Sequence, residues 1–178
     1  MANGLNCSIM QPSFLPWSGY FNLISKSDIF VFLNDAQYQK GSWHNRNRII
    51  VNHGTSWITV PIKKCKLDTK IYQIEINNNI NWQEKMVKTI TQNYSGSPNF
   101  NNIEFILDII KNEKIKSLSN LNIILIKEIC KKLKIRTQFF ESANISTKGK
   151  RSEKLLEILL HFNVESYISP IGAQEYIE

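Results

Sequence analysis

The sequence predicts an α/β fold, Rossmann-like, with a mostly parallel sheet, flanking helices and an early antiparallel hairpin. Three observations lead there. The chain opens on an apolar-rich segment (5–10), a helical pattern from Gly19 and a continuous apolar run at 29–33, which together make a βαβ unit. The second is a hairpin pattern around a Gly-containing turn at 52–55. The third is the return to strand, helix and strand after residue 137, which argues for strands and helices in alternation.

Each element has its own signal. Leu5 to Met10 reads as a strand, and Pro12 and Pro16 then impose a loop. Tyr20, Leu23 and Ile24 fall at helical spacing. Ile29 to Leu33 lacks alternation, which suits a strand buried on both faces. Arg48 to Val51 and Trp57 to Ile62 flank Asn-His-Gly-Thr as a hairpin, and Ile71, Ile74 and Ile76 read as another extended piece. Trp82, Met86, Ile90 and Tyr94 form one helix face, ended by Ser-Gly-Ser-Pro. Ile103, Ile106, Leu107 and Ile110 form a second amphipathic face, and Leu121, Leu125, Ile129 and Leu133 a third. Thr137 to Ile145 returns to strand. Ser152 reads as the N-cap of a helix carrying Leu155, Leu156, Leu159 and Phe162. Tyr167 to Ser169 is a last short strand, broken by Pro170 and Gly172.

Composition sets the class. The 178 residues suit one α/β domain over 1–178, long enough to bury a core without metal or disulfide support. Hydrophobic residues make up 42% and charged residues 21%, ordinary for a globular chain. The formal net charge of +7 is compatible with solvated lysine-rich helix faces or with an anionic, phosphate-bearing ligand. Cys7, Cys65 and Cys130 are odd in number and show no CxxC spacing, so neither a disulfide framework nor a zinc site is indicated. No basic segment followed by an apolar run opens the chain, and no apolar stretch reaches membrane-spanning length. The chain therefore reads as cytoplasmic, without a membrane span. There is no Walker loop, no GxGxxG and no nucleophile elbow. The aromatics lack the spacing of an RNA-binding sheet, so no nucleic-acid partner is expected, and no metal or other cofactor is called for.

Polar residues with chemistry concentrate in the first third. Gln11 follows the first strand, and the loop through Trp17, Gly19 and Tyr20 leads into a helix N-terminus, where free N–H groups favour anions. A stiff aromatic plug is the other reading of that loop. Asp35 and Gln37 follow the buried strand, where a carboxylate can act as general base, bind a hydroxyl or cap a turn. Trp43-His44-Asn45-Arg46-Asn47-Arg48 is the densest polar cluster. On an extended segment Arg46 and Arg48 share a face, and paired guanidiniums suit a diphosphate or a carboxylate; a solvated hairpin edge is the alternative. His44 is a candidate for titration near neutrality, with a surface imidazole next to Trp43 as the other reading.

Gln-Pro-x-Phe-x-Pro-Trp-x-Gly-Tyr-Phe from Gln11, Asp-x-Phe-Val-Phe-Leu-x-Asp-x-Gln-Tyr from Asp28 and Ser-Trp-x-Asn-Arg-Asn-Arg-Ile from Ser42 together resemble the WbqC-like protein family. Trp57 to Pro61, Trp82, Tyr94, Tyr167 to Ser169, Gly172 and Tyr176 fit the same pattern. The resemblance implies a role in surface-polysaccharide (O-antigen, lipopolysaccharide) biosynthesis. The implied activity is transfer of an amino-acyl group, of glycyl type, to the amine of a nucleotide-linked amino-sugar, with an activated amino acid as donor. On that reading Asp35 and His44 are catalytic. Gln11, Trp17, Gly19, Tyr20, Gln37, Trp43, Arg46, Asn47, Arg48, Ser169 and Gly172 bind substrate. It also implies that longer members carry a C-terminal element beyond the position of Glu178. A weaker resemblance links the Trp17–Tyr20 loop to the paired-histidine loop of α/β nucleotidyltransferases, with Ser169 and Gly172 near their phosphate loop. Trp17 and Tyr20 stand where those histidines would be, and neutral aromatics do not stabilise phosphate charge comparably. A non-catalytic nucleotide-sugar-binding or assembly module and a degenerate nucleotidyltransferase are the alternatives. Oligomeric state is not legible in the sequence.

Overall fold

A computed structural model describes residues 4–170. In chain order the elements are β1 (Asn6–Met10), α1 (Ser18–Ser25), β2 (Ile29–Phe32), β3 (Arg46–Val51) and β4 (Gly54–Thr59). They continue with α2 (Trp82–Tyr94), α3 (Glu104–Lys111), α4 (Leu118–Lys132), β5 (Gln138–Glu141), α5 (Arg151–His161) and β6 (Ser166–Tyr167). The fold is α/β, with a parallel sheet, flanking helices and a small antiparallel hairpin. The chain divides into two compact units, one holding described residues 4–12, 17–36 and 128–170, the other 13–16 and 37–127.

The first unit is built on a sheet of order β5-β2-β1-β6 in which every pair is parallel. Cys7 of β1 pairs with Ile29 of β2, and Met10 with Phe32, so both strands end at the same level. All of β2 is buried, which is why its sequence shows no alternation. Alternate side chains still face opposite ways. Cys7, Ile9, Ile29 and Val31 pack with Ile158 of α5 and with Leu155, Leu159 and Phe162. On the other face Phe30 meets Tyr20 of α1, ring centroids 5.5 Å apart, and Phe32 stacks on Phe139 at 5.6 Å. Helices thus cover both faces, as a parallel sheet requires. Burial pushes the Cys7 thiol up to about 12 and the Cys130 thiol up to about 11, so both are inert small core residues.

The second unit carries the hairpin. Arg46 pairs with Thr59 and Val51 with Gly54 across β3 and β4, and Gly54 takes a φ of +125° that closes the turn. α2 buries Trp82, Gln83, Met86 and Ile90, and α3 buries Leu107 and Ile110. α4 buries Leu118, Leu121, Leu125 and Ile126.

Several sequence expectations shift. Leu133 is 56% exposed, because a stripe stepped every four residues rotates by about 40° per step and leaves the buried face. Ile71 to Gln73 form a 3-10 turn rather than strand, although Ile71, Ile74 and Ile76 are all buried as their spacing suggests. The strand from residue 138 ends at Glu141, because Ser142 to Asn144 tighten into a 3-10 turn. α5 begins at Arg151 with Lys150 as its cap residue, not Ser152. The Glu157 carboxylate accepts the N–H groups of Lys148 and Gly149 at 2.7 and 3.1 Å, tying down the entry that a serine cap would otherwise hold. β6 starts one residue earlier than expected and ends at Tyr167, short of Ser169. Gly172 and Tyr176 lie outside the described residues.

Candidate functional site

In open parallel sheets ligands gather outside the carboxyl ends of the strands. In the first unit those ends present Gln11 after β1, Asn34 and Asp35 after β2, Ser142 after β5, and Ser169 after β6. Asp35 is the hub. Its Oδ1 accepts a hydrogen bond from the Ser142 hydroxyl, and its Oδ2 pairs with the Lys154 ammonium of α5. The pair is largely out of water, with Asp35 10% and Lys154 18% exposed. Beside it, fully buried Asn34 donates to the Glu141 carboxylate at 2.6 Å and accepts the Ala143 N–H at 3.0 Å. The tips of β2 and β5 are therefore joined by a satisfied polar network, the condition under which a buried charge is tolerated. A carboxylate in contact with both an ammonium and a hydroxyl can hold or pass a proton, or orient a polar substrate group.

The other expected residues of this unit serve the loop after β1. Tyr20 is 1% exposed, and its hydroxyl donates to the Gln11 carbonyl at 3.0 Å. Burial raises its phenol well above the usual range, so it stays protonated. Trp17 is 65% exposed, and its ring lies where a Cβ on Gly19 would stand, 1.5 Å from the ideal position. The absence of a side chain at Gly19 is what lets that ring fold back. Ser169 is half-buried.

In the second unit the hairpin delivers the period-two arrangement. Arg48 sits opposite Trp57, and the Arg46 and Arg48 guanidinium carbons lie 4.3 and 4.7 Å from the centroid of that one ring. Trp43 packs against Trp57 at 5.4 Å, and both indoles remain substantially exposed. The result is a pair of cations braced on aromatic faces. Asn47 points the other way, donating to the Phe14 and Leu15 carbonyls at 3.1 and 2.5 Å. Gln37 donates to the Leu67 carbonyl at 2.6 Å. His44 is 3% exposed, with Nδ1 2.8 Å from the Ser42 hydroxyl. Burial pushes its imidazole down to about 4, so it is neutral at pH 7.

The profile of the WbqC-like protein family matches residues 11–178, from Gln11 through every candidate residue above. The chain belongs to the WbqC-like protein family. A Mycobacterium tuberculosis (strain ATCC 25618 / H37Rv) protein named "Uncharacterized protein Rv1507c" is 32% identical over 173 residues, covering 96% of this chain and 74% of that relative. No solved structure matches.

In this WbqC-like chain the fold gathers the expected residues in two sets. Gln11, Trp17, Gly19, Tyr20, Asp35 and Ser169 belong to the sheet unit; Gln37, Trp43, His44, Arg46, Asn47 and Arg48 belong to the hairpin unit. Lys154 and Ser142, the partners of Asp35, escaped sequence reasoning. Ser142 carried a weak signal, since it follows an apolar segment. Lys154 is one lysine among many and carried none. Among the described residues no cluster of three or more His, Cys, Asp or Glu could hold a metal, and no helix is long and apolar enough to cross a membrane.

Proposed function

We propose that the chain is an enzyme of surface-polysaccharide biosynthesis that transfers an amino-acyl group to the amine of a nucleotide-linked amino-sugar. The observation that carries the reading is the pair of guanidiniums braced on Trp57 beside Trp43. Arginine forks suit phosphate oxygens, and indole faces suit a base or sugar ring. In the transfer, the sugar amine nitrogen attacks the acyl carbonyl of the activated amino acid. The N–C bond forms, the bond to the leaving group breaks, and the proton lost by nitrogen passes to the Asp35 carboxylate. Protonation neutralises Asp35 and leaves the Lys154 ammonium without its counter-charge, which favours return of the proton to solvent and resets the carboxylate.

Calorimetry with a UDP-linked amino-sugar tests the grip. Arg46→Ala should weaken binding by about 1.5–3 kcal/mol, as for a hydrogen bond to a charged group. Unchanged affinity on a folded variant removes Arg46 from the reading. Asp35→Asn should abolish turnover, followed as mass gain of the sugar with an activated glycine, while binding persists.

A second reading, a nucleotide-sugar-binding module without chemistry, is favoured by one observation. Both expected bases are engaged, Asp35 by Lys154 and Ser142, and His44 in a buried contact with Ser42. Tight binding with no mass gain under any acyl donor would select it.

A further inference from the structure

A hollow of about 730 Å³ opens in the second unit, within the size range of small-molecule sites. Lys40, Arg46, Lys63, Lys64 and Lys66 line it, and no carboxylate does. Lys63 is matched by Glu75, 2.5 Å away. No described carboxylate forms an ion pair with Lys40, Lys64 or Lys66. Like charges around a concavity focus a positive potential into it and attract anions.

One cation is held more firmly than the rest. Arg46 donates through Nη2 to the Gly41 carbonyl and rests on Trp57, while its Nε–H is buried and has no acceptor among the described residues. A guanidinium offers five N–H donors, so this one is fixed in place with donating capacity to spare. Gly41 takes a φ of +78°, and a Cβ there would lie 3.3 Å from that Nη2, so the turn and the arginine are fitted to each other. Tyr38, Ile62 and Leu67 add apolar wall, and the Tyr38 hydroxyl is itself anchored on Asn45 at 3.0 Å. Firm cation, exposed cations and apolar wall together match a diphosphate that carries an organic group.

We infer that this hollow receives the diphosphate of the ligand, against Arg46 with Lys40, Lys64 and Lys66. The inference rests on the proposed function for the nature of the ligand, and on the hollow for its place. It adds three lysines and a cavity to a grip so far made of Arg46 and Arg48.

The hollow contains its own reporter. Cys65 lines it and is exposed, whereas Cys7 and Cys130 are 0% and 1% exposed. Iodoacetamide on the folded chain therefore alkylates Cys65 first, read by intact mass. Inorganic pyrophosphate and UDP-glucosamine should each slow that reaction several-fold, and sodium chloride at equal ionic strength should not. Lys64→Gln/Lys66→Gln changes only exposed side chains; it should abolish the protection and weaken binding by about tenfold.

The outcomes separate the two ideas. If UDP-glucosamine raises the melting temperature but leaves Cys65 alkylation unchanged, the ligand binds elsewhere; the inference falls and the proposed ligand class stands. If pyrophosphate protects Cys65 in the parent but not in the double variant, while UDP-glucosamine neither binds nor protects, the hollow is a diphosphate site and the nucleotide-sugar reading falls. If neither ligand protects, or chloride protects equally, the hollow is solvated lysine surface and the inference is overturned.

Discussion

Lys154→Met is the most telling single change, because it strips Asp35 of its counter-charge while keeping a side chain of similar length. Asp35 is 10% exposed, and the Ser142 hydroxyl remains as a neutral partner. Removing one member of a buried ion pair costs about 3–5 kcal/mol, most of it the desolvation of the charge left behind. Lys154 is 18% exposed, so water reaches the site in part and the low end, about 3 kcal/mol, is the better expectation. For a chain of this size that lowers the melting temperature by about 6–12 °C. Asp35→Asn leaves an ammonium able to turn toward solvent and should cost less. The double variant carries neither charge and should recover much of the loss, giving a coupling energy of at least about 1.5 kcal/mol. Urea unfolding of the four proteins at pH 7 and matched salt measures it. Losses that add to within about 0.5 kcal/mol would show that the pair is not coupled, and the polar network at the β2 and β5 tips would lose its organising member.

Other outcomes are expected with equal definiteness. His44 is held near 4 when folded against an ordinary 6.5, so the unfolded chain takes up a proton first as pH falls. Its contribution is full above about pH 6.5 and declines toward pH 4, so unfolding free energy should drop by about 2 kcal/mol between pH 7 and pH 5. His44→Asn should flatten that dependence; an unchanged slope places the titration elsewhere. Asn47→Ala should cost about 1–3 kcal/mol by leaving the Phe14 and Leu15 carbonyls without their amide donor, with hydrogen exchange rising locally around 13–16. Trp57→Ala should remove the aromatic support of both guanidiniums, leaving Arg46 its bond to the Gly41 carbonyl, and weaken nucleotide-sugar binding by about 1 kcal/mol or more, measured by calorimetry.

The sequence alone determined whatever depends on neighbours along the chain. An uninterrupted apolar run at 29–33 meant a strand covered on both faces, and β2 is buried throughout. Arginines two apart on an extended segment had to share a side, and both lie over Trp57. Asp35 had to emerge at a strand tip. Tertiary structure alone decided what each of those groups would touch. Asp35 meets Lys154 across 119 residues and Ser142 across 107; no local pattern marks Lys154, and Ser142 shows only that it follows an apolar segment. The same holds for the burial that neutralises His44, for the carbonyls that engage Asn47 and for the hollow that collects Lys40, Lys64 and Lys66. Periodicity reports which face a side chain takes. Its counter-charge and its exposure follow from packing between segments distant in sequence, where a lysine bound to a buried carboxylate is indistinguishable from one dissolved in water.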